Sequence, residues 1–294
     1  MTRAANDPSH AELPPPDALA RGDFELVVRR LADDLAFGSD ASRFVGGGLQ
    51  YASSRPYQPG DSVRMLDWRL TARTGRAFTK QHEALKRTCV YVVVDTSASM
   101  AVSSVALSKH DVAVWTASAL GLVALRRLSP VAVIGGGERT TATLPSLLQS
   151  DLWRAIEPLR ARGVAERTRL AERLGELRGR ALRSSVIVVA SDLHDPDAVW
   201  ALRQAAQQHD VVVLHTLDPS ETGALRAGFF RGHEAETGRT FLAGPGTRWE
   251  GAHRARTELV RCGVDYLALP TDRAFLAPLR RFLASRGHLM RGQR

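Results

Sequence analysis

The sequence predicts an α/β fold: a doubly wound, mostly parallel sheet flanked by helices, Rossmann-like in its layering, with a smaller N-terminal accessory region. Three short apolar runs, Val90 to Val94, Ser185 to Ala190 and Val211 to Leu214, are typical of parallel strands buried on both faces. Helical patterns separate these runs along the chain. Strands that alternate with helices indicate a parallel sheet with crossover connections.

Size and charge set the limits of this interpretation. The chain has 294 residues, of which 44% are hydrophobic, enough for one large α/β domain and an accessory region. Lysine and arginine number 40 against 31 acidic residues, a formal net charge of +9. A basic balance of this size suits nucleic acid, an anionic membrane surface or an acidic protein partner, and does not choose among them.

The N-terminal segment, residues 1–21, is polar and proline-rich and is predicted to be a disordered tail. It lacks the apolar core of a signal peptide, and no stretch of the chain reaches the roughly 18 apolar residues that span a bilayer. Cys89 and Cys262 have no metal-binding spacing and are predicted to be reduced and buried. These observations predict a cytoplasmic protein.

Residues 22–88 form the predicted accessory block. A helical stripe covers Phe24 to Phe37, a loop follows over residues 38–48, and an edge strand beside the central strand is predicted within Ala77 to Lys86. Between them, charged and apolar residues alternate after the turn signal Pro59-Gly60-Asp61. This stretch fits either a solvated, salt-bridged short helix or a docking surface, and the sequence alone favours neither.

Residues 89–294 form the predicted main domain, which begins with the strand Val90 to Val94. Strands need a buried apolar run and helices an apolar stripe at a spacing of three and four residues. On this basis the helices are Asp111 to Leu128, Leu147 to Leu159, Thr168 to Leu177, Ala198 to Gln208, Ala252 to Cys262 and Arg273 to Ser285. The further strands are Val131 to Ile134, Thr140 to Leu144, Ser185 to Ala190, Val211 to Leu214 and Asp265 to Leu269, with a hairpin over Phe229 to Leu242.

Polar side chains follow the first of these strands directly. Asp95, Ser97 and Ser99 place one carboxylate and two hydroxyls in a single turn at the carboxyl end of the strand, where ligands bind in open α/β sheets. These hard oxygen atoms suit Mg²⁺, although a serine-rich turn that caps the next helix has the same pattern. Asp192 repeats the arrangement of a strand followed by an acid, and Thr168 opens a helix.

These residues together resemble the metal-ion-dependent adhesion site of von Willebrand factor type A domains. In that family one loop supplies an acid and two serines, a second loop a threonine and a third an aspartate, and an acidic side chain of a partner completes the metal shell. The resemblance implies Mg²⁺ ligands at Asp95, Ser97, Ser99, Thr168 and Asp192. Thr140, Thr141 and Thr143 are alternatives for the threonine.

A second resemblance rests on the block Arg55-Pro-Tyr-x-Pro-Gly-Asp-x-x-Arg-x-x-Asp-Trp-x-x-x-Ala-Arg73. It resembles the signature of the bacterial domain-of-unknown-function 58 family, as do Leu217-Asp-Pro-Ser-Glu221 and Glu236-Thr-Gly238, over roughly residues 40 to 245. Members couple the block to a type A domain and are often encoded beside MoxR-type AAA+ ATPases. The resemblance implies partner-binding residues in the block, namely Arg55, Tyr57, Asp61, Arg64, Asp67, Trp68 and Arg73.

Three functions compete. The resemblance favours a non-enzymatic adaptor that binds a partner through the metal and works with a MoxR-type ATPase in protein or metalloenzyme maturation. A Mg²⁺-dependent hydrolase or phosphatase is the alternative, with His194 as the nearest general base, but no second metal cluster, nucleophile elbow or phosphate loop appears in the sequence. Nucleic-acid binding by the arginines of Arg160 to Arg183 is the third, although Glu166, Glu172 and Glu176 interleave with them.

Overall fold

The computed structural model describes residues 24–36, 49–84, 88–139, 141–161, 166–180, 184–222, 230–233, 240–243 and 250–286. The chain divides into two compact units, of which one, here called the accessory unit, is Gly38–Arg87. The other, here called the sheet unit, comprises Met1–Phe37 and Thr88–Arg294. The predicted disordered tail and the turn at residues 236–238 lie outside the described residues.

The strands of the sheet unit confirm the mostly parallel α/β architecture. They are β3 (Val90–Val94), β4 (Val131–Gly135), β5 (Val186–Ser191), β6 (Asp210–Leu217) and β9 (Asp265–Pro270), with the hairpin β7 (Phe230–His233) and β8 (Thr240–Ala243). Within the described residues, the main sheet has five strands in the order β4-β3-β5-β6-β9, and neighbouring strands are parallel. Every residue of β3, β4 and β5 is buried, as a sheet covered on both faces requires.

Helices cover both faces of this sheet. They are α1 (Phe24–Ala36), α4 (Lys109–Arg126), α5 (Gln149–Ile156), α6 (Leu170–Arg180), α7 (Pro196–Ala205), α8 (Glu250–Arg261) and α9 (Leu276–Ser285), after the one-turn α3 (Ala98–Ala101). Helices α1, α4, α5 and α9 contribute to one hydrophobic cluster with the sheet, and α6, α7 and α8 to the other. Helix α1, which the sequence analysis grouped with the accessory block, therefore packs in the sheet unit.

The α4 helix runs through the core and is buried along nearly its whole length. A capping box at its start fixes where it begins: Ser108 Oγ accepts from Asp111 N, and the Asp111 carboxylate accepts from Ser108 N. The first helical residue is Lys109, whose side chain is completely buried. The cap thus directs a lysine, and not an apolar residue, into the carboxyl edge of the sheet.

The far end of the sheet is closed by an arginine. Arg286 follows α9 and donates from Nε to the Asp265 carboxylate at 2.5 Å, and from Nη2 to the Asp210 carboxylate. Asp210 begins β6 and Asp265 begins β9. This ion-pair cluster ties the last helix to the amino ends of two neighbouring strands, opposite the edge where Asp95 lies.

Two predicted strands are wrong in part. The predicted edge strand is β2 (Phe78–Ala84), but it pairs antiparallel with β1 (Leu49–Pro56), a strand that the sequence analysis missed. The predicted strand from Thr140 to Leu144 is not regular: described residues run beside β4 through isolated bridges at Ala142 and Ser146. There the Thr143 hydroxyl accepts from Val133 N at 2.9 Å, in place of a backbone carbonyl.

Three further findings concern the accessory unit, the cysteines and membranes. The accessory unit also contains a 3₁₀ turn at Val63–Met65 and the helix α2 (Trp68–Thr74). Both cysteines are free thiols, but Cys262 is exposed, so its predicted burial is wrong, and Cys89 is half-buried. Across the described ranges, every helix is too short or too polar to cross a membrane.

Candidate functional site

The strand order creates a switch point in the sheet. The chain passes from β3 outwards to β4 and then returns to the other side of β3 to form β5. Connections therefore leave β3 and β5 in opposite directions, which opens a crevice at the carboxyl ends of these two neighbouring strands. Asp95 follows β3, and Asp192 follows β5, so both predicted acids lie at this crevice.

The turn after β3 is held by the Asp95 carboxylate. Its Oδ1 accepts from Ser97 N at 3.0 Å, and its Oδ2 accepts from the hydroxyl of Ser191, the last residue of β5, at 2.6 Å. The hydroxyl oxygens of Ser97 and Ser99 lie 3.1 Å apart. All four side chains are buried, so the turn presents a fixed carboxylate beside a fixed pair of hydroxyls.

Asp192 joins this group. It follows Ser191, whose hydroxyl donates to Asp95, and its buried carboxylate lies close enough to Asp95 to affect its ionisation. The next residue, Leu193, has a φ of +54° although its side chain is buried. This left-handed conformation is unusual for leucine, and it turns the chain sharply just after the acid.

His215 supports the Asp192 backbone from the neighbouring strand β6. Burial lowers the pKa of His215, and the nearby Asp192 and Glu221 raise it by less. The pKa of His215 is therefore about 4, and the ring is neutral at pH 7. Its Nε2 lies 2.8 Å from the Asp192 carbonyl oxygen, which can only accept, and Nδ1 contacts the Tyr266 hydroxyl. The neutral ring therefore carries its proton on Nε2 and accepts from Tyr266.

The predicted threonine lies on the loop that leads into α6. The Thr168 hydroxyl is half-buried and accepts from Leu170 N at 3.5 Å, a long hydrogen bond at the start of the helix. The loop itself is anchored beside the site, because Ala98 N donates to the Glu166 carbonyl at 2.7 Å and Arg169 N donates to the Gly136 carbonyl at 2.8 Å. Thr168 thus lies between two backbone contacts to the loops after β3 and β4.

Glu166 holds these loops together, a role that was not predicted for it as one of the acids interleaved with the arginines of Arg160 to Arg183. Its buried carboxylate accepts from the Thr96 hydroxyl at 3.0 Å, from Arg139 N at 2.8 Å and from Arg139 Nε at 2.7 Å. A Cβ at Gly137 would lie 2.2 Å from Glu166 Oε1 and 2.4 Å from Thr96 Oγ1. Glycine at this position lets the loop after β4 approach the carboxylate.

A buried lysine forms the other side of the site. Lys109 Nζ donates to Asp192 Oδ2 at 2.8 Å and to the Glu221 carboxylate. His194 lies against the same acids, with Nε2 3.3 Å from Glu221 Oε1 and Nδ1 3.8 Å from Asp192 Oδ2. Neither Lys109 nor Glu221 was among the predicted site residues, although for Lys109 a charged residue at the start of an otherwise apolar helix is a visible signal in the sequence.

The charges of this cluster act unequally on the two aspartates. Burial raises the pKa of Asp95 to about 6, helped by the nearby Asp192 charge and opposed by hydrogen bonds from Ser191 and Ser97. Burial also acts on Asp192, but there the Lys109 ammonium, His194 and side-chain hydrogen bonds together outweigh it and hold the pKa well below its usual range. Asp192 therefore has a cationic partner, whereas Asp95 is held by neutral hydrogen-bond donors.

The residues present fit a divalent cation at two places. Asp95, Ser97 and Ser99 offer a buried carboxylate and two hydroxyl oxygens, a hard-oxygen set for Mg²⁺, and a dication there would offset the cost of burying the Asp95 charge. Asp192, His194 and Glu221 offer ligand atoms that all lie within 4.8 Å of one another. In the second set, Lys109 already contacts both carboxylates.

The predicted partner-binding residues separate into two groups. Asp61 pairs with Arg55 at 2.6 Å and accepts from Gln58 N, while Asp67 caps α2 by accepting from Leu70 N at 3.1 Å. These contacts shape the accessory unit itself. The other residues are more available: Arg64, Arg73 and Trp68 are exposed and Tyr57 is half-buried.

The sequence pattern of the family described as "Protein of unknown function DUF58" matches residues 53–256. The chain belongs to this family. The match confirms the family resemblance and spans the described part of the accessory unit from residue 53 together with all the loops that build the candidate site.

Relatives of this DUF58 chain include "Uncharacterized protein Rv1480" of Mycobacterium tuberculosis and "Uncharacterized protein Mb1516" of Mycobacterium bovis. Each is 32% identical over 283 residues, which cover 92% of this chain and 89% of the relative. Among solved structures, BatB from Bacteroides thetaiotaomicron is 17% identical with a TM-score of 0.45, covering 68% of this chain and 98% of its own. The Deinococcus radiodurans RO (RSR) protein is 19% identical with a TM-score of 0.33, covering 68% and 34%.

Proposed function

We propose that this DUF58 protein is a non-enzymatic adaptor that captures an acidic side chain of a partner protein through a Mg²⁺ ion of the type A kind. Asp95, Ser97 and Ser99 would hold the ion, with Thr168 and Asp192 completing the protein's share of the shell. The observation that carries the proposal is the Asp95 turn, a buried carboxylate beside two hydroxyls at the switch point of the sheet.

The charge distribution supports capture of an acid. Because hydroxyl ligands are neutral and Lys109 already pairs with Asp192, an ion beside Asp95 would keep a net positive charge. A carboxylate from another protein is the natural additional ligand for such an ion, since Mg²⁺ takes oxygen ligands in octahedral geometry. The ion, when bound, supplies the attraction; the chain's own residues orient it and shield it.

The partner is proposed from the family resemblance to be a MoxR-type AAA+ ATPase, which places the pair in the cytoplasm, where ATP is available. The exposed Arg64, Trp68 and Arg73 of the accessory unit would contribute a second, basic contact. Aromatic and arginine side chains are common anchors of protein interfaces, which is consistent with a docking role for this unit.

The hydrolase alternative has less support. His194 is the nearest base, and it lies against Glu221 and Asp192 in the ion-pair cluster around Lys109. Burial opposes the charged form of His194, but the surrounding carboxylates outweigh it and raise the pKa, so the ring is less available as a neutral base than an ordinary histidine. Metal-dependent hydrolysis of a phosphate ester that is lost in the His194→Ala variant would support the hydrolase alternative.

The decisive experiment is calorimetric titration of the full chain with the MoxR-type ATPase from the same genome, in Mg²⁺ and in chelator. We expect binding in Mg²⁺ that falls by about tenfold or more both in chelator and in Asp95→Asn. Asp197→Asn, which removes an exposed carboxylate at the start of α7, is the matched control and should bind like the wild type. Equal binding by all proteins under both conditions would refute metal-mediated capture.

A further inference from the structure

The Asp192–His194–Glu221 set has the composition of a metal site. Two carboxylates and one imidazole, with ligand atoms within 4.8 Å of one another, are a common ligand set for Zn²⁺ and similar ions. The three residues come from the loops after β5 and β6, next to the turn that carries Asp95. They lie at the switch point, but they do not include the Asp95 turn.

The Lys109 side chain already forms ion pairs with both carboxylates. The Lys109 ammonium donates to Asp192 Oδ2 and to Glu221 Oε1, and the closest His194 contacts are to the same two oxygen atoms. The ammonium therefore contacts the two carboxylate oxygen atoms nearest His194, beside which an ion bound to all three residues would lie. Lys109 is completely buried, so its charge is fixed in the site and is not available to solvent.

The fold commits Lys109 to this position. The Ser108–Asp111 capping box fixes the first residue of α4, and the rest of that helix is packed in the core. Glu221 is held in turn by its backbone N–H, which donates to the Asp218 carbonyl at 3.0 Å. A rigid helix therefore positions the Lys109 ammonium, and a backbone hydrogen bond positions Glu221, which accepts from it.

We propose that Lys109 is a resident cation that takes the place of a metal ion at the Asp192–His194–Glu221 set. The inference rests on the proposed function for the ion beside Asp95, and it explains why a site with three buried or nearly buried carboxylates would take one divalent ion and not two. The Lys109 ammonium already offsets part of the charge of Asp192 and Glu221, the two carboxylates that a second ion would otherwise bind.

The test removes the charge of Lys109 and keeps its approximate length, in Lys109→Met. The probe is Co²⁺, added by equilibrium dialysis in excess Mg²⁺, with bound cobalt counted per chain and imidazole ligation followed by visible absorption. We expect the wild type to bind no Co²⁺ that depends on His194, and Lys109→Met to gain one Co²⁺ per chain. The gain should be absent from Lys109→Met/His194→Ala.

A charge-compensated variant keeps the test valid if Lys109→Met is too unstable to fold alone. Lys109→Met/Glu221→Gln removes the ammonium together with one of its acids and should fold without gaining a cobalt site. Unfolded Lys109→Met that refolds on adding Co²⁺ would support the proposal, since the metal would then replace the ammonium. Failure to refold with Co²⁺, while the compensated variant folds, would overturn it.

Two other outcomes would also overturn the proposal: no gain of cobalt in folded Lys109→Met, or His194-dependent cobalt already bound by the wild type. Mg²⁺ binding to the same proteins, measured by calorimetry, separates this inference from the proposed function. Loss of Mg²⁺ binding at Asp95 would reject the adaptor's metal, yet a cobalt site gained in Lys109→Met would still establish the resident cation.

Discussion

The sheet unit and the accessory unit use charged residues in opposite ways. In the sheet unit, charged side chains such as Lys109, Asp95 and Asp192 are buried, and they contact one another or fixed polar groups. In the accessory unit, Thr79 is the one buried side chain among those of residues 53–80. Substitutions of these buried charged residues should therefore change stability and the site together, while substitutions of exposed residues in the accessory unit should change stability little.

The largest effect on stability is expected at the centre of the sheet. Ile187 lies in β5 and is fully buried, so Ile187→Ala leaves a cavity and should lower the free energy of unfolding by about 2–5 kcal/mol. Val63→Ala in the accessory unit, where the side chain is 60% exposed, should change it by less than about 0.5 kcal/mol. Urea denaturation followed by circular dichroism measures both, and similar costs would contradict the comparison.

An intermediate and pH-dependent effect is expected at Asp218, which follows β6. Burial alone would raise the pKa of this carboxyl, but hydrogen bonds from the side chains and backbone of Ser104 and Ser220 outweigh it and hold the pKa below its usual value. A lowered folded pKa means that ionised Asp218 stabilises the protein above about pH 4, and that this stability is lost as the pH falls through the folded pKa.

The corresponding variant is Asp218→Asn. It should be less stable than the wild type by about 1–3 kcal/mol at pH 7, because Asn supplies one acceptor oxygen where the carboxylate supplies two. The gap in stability should be smaller at pH 3, because below about pH 4 the unfolded chain takes up a proton that the folded carboxylate resists. Denaturation at both pH values checks this, with Asp197→Asn as the control for loss of an exposed charge, and a gap of constant size would exclude the Asp218 explanation.

The smallest effect on stability, and a clear effect on binding, is expected at Trp68. This side chain is 64% exposed on α2, so Trp68→Ala should leave the free energy of unfolding within about 0.5 kcal/mol of the wild type. If the accessory unit docks a partner, affinity for the ATPase should fall by about tenfold or more. Trp200→Ala on α7, where the side chain is 58% exposed, is the matched control in the sheet unit. Equal affinity of the two variants for the ATPase would show that Trp68 does not contribute to the interface.

The parts of the site that are local in sequence could be predicted. Asp95, Ser97 and Ser99 occupy one turn after an unmistakable buried strand, and Asp192 repeats that pattern. The order of β3 and β5 in the sheet then brings the two loops together. The metal that these residues would bind stays a prediction, as do the ATPase partner and the absence of catalysis.

The rest depends on contacts between distant residues. Lys109 lies 83 residues from Asp192 and 112 from Glu221, and no local pattern encodes either ion pair. Glu166 looks like a member of a charged helix face, but its loop carries it inwards to Thr96. The β1 strand was missed because Gln50, Ser53 and Ser54 break the apolar pattern, and hydrogen bonding to β2 compensates for this.

The Arg286 ion-pair cluster also affects the order in which parts of the sheet can form during translation. Its two acceptors, Asp210 and Asp265, begin β6 and β9, but the arginine itself is made after both strands. The outer half of the sheet can thus be locked only once residue 286 has left the ribosome. By then β3, β4 and β5, which carry the Asp95 turn and Asp192, have long emerged, so the part of the sheet with the proposed metal ligands can assemble before the edge that later secures it.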